Sequence, residues 1–161
     1  MTVIVVFGGI MIVAFLASFF SGRRFGVMAL SLAVGSLLAS WWGRLLADQL
    51  HGLGMTIAGL PQTIFATLIL LLLPLVAALI SGPKYHKKRE KIISSAGIAI
   101  LVVALLTVPL GGFIKMDALS LTIYKTLAEI WRYLATVGFV AGIIDLVLLH
   151  NGVARHLPKK H

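Results

Sequence analysis

No cysteine occurs anywhere in this chain. That excludes a disulfide framework, a thiolate metal site and a cysteine nucleophile. Acid is nearly as scarce: five Asp and Glu residues in 161, too dispersed for a paired-carboxylate site. Charge of either sign amounts to 12% of residues, against about 25% in soluble domains. No Gly-rich phosphate loop precedes a Lys-Ser or Lys-Thr pair, and no Gly-x-Ser-x-Gly elbow is present. The histidines His51, His86, His150, His156 and His161 fall in loops, at span ends or in the tail. None makes a two-histidine helical pair with a carboxylate, so no metal site is expected. The reading is of a protein that is not an enzyme and carries no cofactor.

What the chain has in quantity is apolar length. Residues 52–83 contain no charged side chain, and 2–20, 26–43 and 92–114 are equally bare. The hydrocarbon core of a bilayer is about 30 Å thick and takes roughly 20 helical residues to cross. An all-α, polytopic transmembrane helical bundle follows, with residues 1–161 forming one membrane domain. Five spans are expected, at about 3–21, 25–47, 61–80, 93–113 and 127–149. Four are possible, because the fifth carries Glu129, Arg132 and Asp145. Residues 48–52 should open a loop that runs to Pro61, and 115–126 should lie along the interface as a mildly amphipathic segment. Pro74 and Pro109 should kink their spans.

Charge orients the bundle. The chain carries 14 basic residues and a net charge of +9. Basic residues concentrate in loops on the cytoplasmic side, where anionic head groups also attract them. The first apolar run precedes Arg23 and Arg24, the reverse of the charge order of a cleavable signal peptide. With five spans and the N-terminus outside, ten basic residues fall inside: Arg23, Arg24, Lys84, Lys87, Lys88, Arg89, Lys91, Arg155, Lys159 and Lys160. Four fall outside: Arg44, Lys115, Lys125 and Arg132. The C-terminus is then cytoplasmic, and a fifth span is needed to keep the basic tail with the rest. The cytoplasmic basic loop spans 81–92 and contains Lys84, Lys87, Lys88, Arg89 and Lys91. Nucleic acid is not the expected partner, since no basic surface interleaved with aromatics lies outside the spans.

Three constellations stand out within the spans. In the second, Ala29, Ala33, Ser36, Ser40, Gly43 and Ala47 recur at steps of three and four, a stripe of small residues along one helix face. Helices associate in lipid by close van der Waals contact, and small residues permit it. The stripe serves either packing inside its own bundle or association with other membrane subunits or a second copy. In the fifth, Ala135, Gly138, Ala141 and Gly142 share a face with Asp145, which therefore looks toward a helix contact. An acid within a span is a functional candidate; the plain alternative is that it reaches the inner interface or pairs with Arg23, Arg24 or His150. Glu129 and Arg132 lie three apart beside Trp131 and Tyr133, as suits a pair at the outer interface.

Residues 22–39 read Gly-Arg-Arg-Phe-Gly-Val-Met-Ala-Leu-Ser-Leu-Ala-Val-Gly-Ser-Leu-Leu-Ala. A first span, a tight Gly/Arg turn and an Ala-Leu-Ser-Leu-x-x-Gly segment resemble the colicin V production protein family, small proteins of the bacterial inner membrane. Val27 and Met28 stand where that family usually has an acid, and a fifth span exceeds its usual four. The resemblance implies a non-enzymatic role in envelope homeostasis or secretion, as a scaffold or accessory subunit. The competing expectation is a small transporter or channel subunit in which Asp145 is the ion- or proton-sensitive group.

Overall fold

A residue that cannot leave backbone groups unpaired in hydrocarbon must take helix, and the apolar runs do so. The computed structural model describes residues 2–54, 61–81, 88–111 and 118–155, with the backbone alone at residue 2 and from 149 onward. Its helices are α1 (Thr2–Ser21), α2 (Phe25–Gly52), α3 (Gln62–Ser81), α4 (Lys88–Gly111) and α5 (Ala118–Arg155). All five are long and apolar enough to cross a bilayer. The protein is an integral membrane protein.

Three boundaries differ from the sequence expectation, for one reason: charge ends a membrane span but does not end a helix. Asp48 to His51 continue α2 instead of opening a loop, and the helix stops at Gly52. Its end is closed by the Leu53 and Gly54 amides, which donate to the Gln49 and His51 carbonyls at 3.0 Å each. Lys88, Arg89 and Lys91 form the first turn of α4 rather than a loop. Lys84 and Lys87 lie outside the described residues. The segment expected to lie along the interface is, from Ala118, continuous with α5. No Gly or Pro occurs between Ala118 and Val137 to interrupt it. At 38 residues and 1.5 Å per residue, α5 is about 57 Å long and overshoots a bilayer.

α2 packs along α3, α1 lies on α4, and α5 bridges α2 and α4. The core gathers Met28, Ala29 and Leu32 of α2, Leu71 and Leu75 of α3, Ile98 and Leu101 of α4, and Ala135 of α5. Side chains such as Val5, Phe20, Ile80 and Tyr133 remain largely exposed, as they must where lipid is the solvent. α4 buries Ser95 and Thr107, whose hydroxyls donate to the Lys91 and Val103 carbonyls of the same helix at 2.7 and 2.8 Å. Each polar group is thereby satisfied without a partner helix.

α2 approaches α3 closely at Gly35. A Cβ there would stand 2.6 Å from the Leu71 carbonyl oxygen and 3.1 Å from that of Leu70. Pro74 lies four residues beyond Leu70 and has no N–H to give its carbonyl. The Leu70 carbonyl thus lacks its intrahelical donor where α2 presses on α3.

Candidate functional site

Among the described residues, three of the five buried polar side chains, Ser18, Ser94 and Ser95, gather at one end, around the turn between α1 and α2. α1 ends on Gly22, whose φ of +61° closes the helix in the left-handed conformation that glycine adopts at little cost. The Gly22 amide donates to the Ser18 carbonyl at 2.9 Å, and the Lys91 side chain of α4 crosses directly over the turn. Ser18 is buried, and its hydroxyl donates to Met28 Sδ of α2 at 3.6 Å.

Arg23 then reaches across the bundle. Its Nε donates to the Leu79 carbonyl at 2.9 Å, and a second guanidinium nitrogen donates to the Ile80 carbonyl. Both acceptors belong to the last turn of α3, where carbonyls have no intrahelical donor and the helix dipole is negative. The backbone carbonyl of the same Arg23 accepts from Ser94 of α4 at 3.3 Å. One residue ties α3 and α4 to the turn between α1 and α2.

Asp145 of α5 makes the complementary tie. Its carboxylate accepts from the Gly26 backbone amide at 3.0 Å. Gly26 is the second residue of α2, and the cap residue Arg24 makes no side-chain cap bond. The amides of the first turn have no acceptor inside their own helix. Asp145 supplies one from another helix, and its negative charge lies at the positive end of the α2 dipole. The contact requires a glycine pair. A Cβ on Gly26 would collide with the Gly142 carbonyl and stand 2.7 Å from Leu146 Cγ; one on Gly142 would stand 2.7 Å from Ala29 Cβ.

Depth follows from this register. Asp145 is level with the start of α2, and at the other end Tyr124 meets Gly111, the last residue of α4. Twenty-one residues separate Tyr124 from Asp145, about 32 Å of helix and close to a bilayer core. The matched part of α5 is therefore about 124–145. Beyond it, ten residues of α5 extend past the junction.

Next to Asp145, a recess of about 340 Å³ opens between α2, α4 and α5. Phe25, Glu90, Ser94, Gly97 and Asp145 border it. Glu90, in the first turn of α4, also complements a helix N-terminus.

The other sequence candidates disperse. Of the α2 stripe, Ala29, Gly43 and Ala47 are buried inside the bundle, Ala33 and Ser36 are half-buried, and Ser40 is exposed. Ser36 and Ser40 hydroxyls donate to carbonyls of their own helix at 2.8 Å. Glu129 and Arg132 are exposed on α5, far from the junction. The Arg132 guanidinium lies 5.7 Å from the centre of the Trp131 ring. Among the described residues no group of three or more His, Asp or Glu side chains is placed to hold a metal. Sequence reasoning passed over Gly26, Gly35 and Ser94. A glycine in the first turn of α2 was the one local sign of a close crossing there.

Compared with protein families, characterised proteins and solved structures, the chain matches none.

Proposed function

We propose that this protein is a non-enzymatic scaffold or accessory subunit of a bacterial inner membrane, acting in envelope homeostasis or secretion. The N-terminus lies outside and the C-terminus in the cytoplasm. The junction end, with Arg23, Arg24 and the basic first turn of α4, then faces the cytoplasm, and the loop before α4 is a contact for an acidic partner or anionic lipid. The observation that carries the reading is the use made of charge. Arg23 and Asp145 each hold a helix terminus, so charges that a transporter would spend on cargo here hold helices together. The likeness of residues 22–39 to colicin V production proteins points the same way.

Assembly with other membrane subunits uses the part of the α2 stripe left accessible, Ala33, Ser36 and Ser40. Gentle-detergent purification tests this. A stoichiometric companion protein is expected, and A33L or S36L should lower its recovery roughly tenfold, the equivalent of about 1.4 kcal/mol. Unchanged recovery, with unchanged bundle stability, contradicts the proposal.

The recess bordered by Asp145 and Glu90 favours a second reading, a small transporter or channel subunit. Liposomes holding the protein would then pass protons or cations, and D145N would abolish the flux. Equal flux in the two proteins removes Asp145 from any mechanism, and no flux removes the class.

A further inference from the structure

α5 meets the rest of the bundle on one narrow arc, through Trp131, Ala135, Gly138, Gly142 and Asp145. On the neighbouring flank, Thr122, Lys125, Glu129, Arg132, Tyr133 and Thr136 are all exposed. Thr122, Lys125, Glu129, Arg132 and Thr136 follow one another at steps of three and four in one stripe, with Tyr133 four residues beyond Glu129 at its edge. Thr136 lies nine residues from Asp145 and Arg132 thirteen, or about 14 and 20 Å along the axis. Against a matched length of about 30 Å, Thr136 is near mid-membrane and Arg132 is inside the outer leaflet. A charge turned to lipid at such depth costs several kcal/mol even after some snorkelling. A subunit on its own leaves this flank in the wrong solvent.

The geometry points to what covers it. At about 100° per residue, Glu129 lies some 20° to one side of Thr136 and Arg132 some 40° to the other. A twofold axis along the membrane normal that passes beside Thr136 therefore sets Glu129 of one copy opposite Arg132 of the other. The same operation sets the reverse pair on the far side. We propose that this flank of α5 is the docking surface for a second copy of the chain, closed by two reciprocal Glu129–Arg132 bridges. The contact is isologous, as twofold contacts must be. A different subunit would have to bring its own acid and base at matching heights; a copy has them by construction.

Three further features fit this arrangement. Thr136 is small, and its hydroxyl already donates to the Arg132 carbonyl at 2.8 Å, so it can sit at a close helix crossing without needing a partner. Val140, Ile143 and Val147 continue the flank inward as an exposed apolar row. Lys125, which the axis would bring near its own copy, lies about 30 Å from Asp145 along the helix, at the surface where water screens it. The inference extends beyond the scaffold reading, since a channel subunit could pair in the same way.

The absence of cysteine makes the test direct. A T136C variant, mildly oxidised in native membranes, is expected to form a disulfide dimer of the chain. An I130C variant, exposed but about 120° away around the helix, should form none. In the T136C background, E129R or R132E alone is expected to reduce the dimer about tenfold, by setting like charges opposite one another in lipid. The double change E129R/R132E restores it. Because both residues are exposed in the subunit, thermal unfolding of the monomer should not move. The proposal is overturned if T136C gives no dimer, if it cross-links only to a different protein, or if the double charge reversal fails to rescue the singles. Absence of a companion in the purification above leaves this result untouched.

Discussion

A single methyl group added at Gly35 is expected to destabilise the bundle, whereas the same change at Gly43, two turns along the same helix, should be tolerated. Both glycines are buried on α2, so burial alone does not separate them. The neighbour does. At Gly35 the new Cβ would stand 2.6 Å from the Leu71 carbonyl oxygen and 2.9 Å from Leu71 Cα. These are backbone atoms, and α3 must shift as a body to accommodate it. Overpacking of that kind costs about 1–3 kcal/mol, and G35V should cost more than G35A. At Gly43 the nearest atom is the Thr67 hydroxyl oxygen at 3.7 Å, an ordinary contact. Alanine is also the better helix former there, by up to about 1 kcal/mol. Unfolding in detergent micelles checks both. Equal stability of G35A and G43A contradicts the close α2–α3 approach.

Asp145→Ala is expected to loosen the junction end of the bundle, with a loss of about 1.5–3 kcal/mol, the range for a hydrogen bond to a charged group. The variant removes the acceptor of the Gly26 amide and the charge facing the α2 dipole together. Asp145→Asn keeps an acceptor oxygen and should retain much of the stability, within about 1 kcal/mol of wild type. The two variants thus separate a structural carboxylate from an ion-handling one. A structural role orders stability as wild type, Asn, Ala. A transport role makes Asn as damaging to flux as Ala, whatever its stability.

Why the spans were legible and the junction was not comes down to the range of the signals. Uncharged runs of this length have one physical outcome, and four of the helices follow from them. The fifth, which carries Glu129, Arg132 and Asp145, follows from the need to keep the basic tail with the other cationic segments. The helix ends do not follow, because Asp48 and Lys88 leave hydrocarbon without leaving helix. The pairing of Asp145 is further out of reach. Its carboxylate is met by an amide 119 residues away, and a backbone N–H carries no side-chain signature. The wheel of α5 did turn Asp145 toward Gly142 and Ala135, both buried, so the face was readable even though the partner was not. The α2 stripe shows the opposite error. Selecting on small size captured Ala29, Gly43 and Ala47 but included exposed Ser40 and passed over Gly35. α2 packs against α3, α4 and α5 together, so its buried arc is wider than one row of small residues.

Site-resolved hydrogen exchange at the Gly26 amide probes the tie between α5 and α2 most directly. In wild-type protein this amide should be protected, although it lies in a first turn where helix geometry offers it no acceptor. In Asp145→Ala its exchange should quicken by about ten- to a hundredfold, while Leu32, deeper in α2, stays as slow as before. Exchange at Gly26 that is fast in wild type, or unaltered by the substitution, contradicts the account.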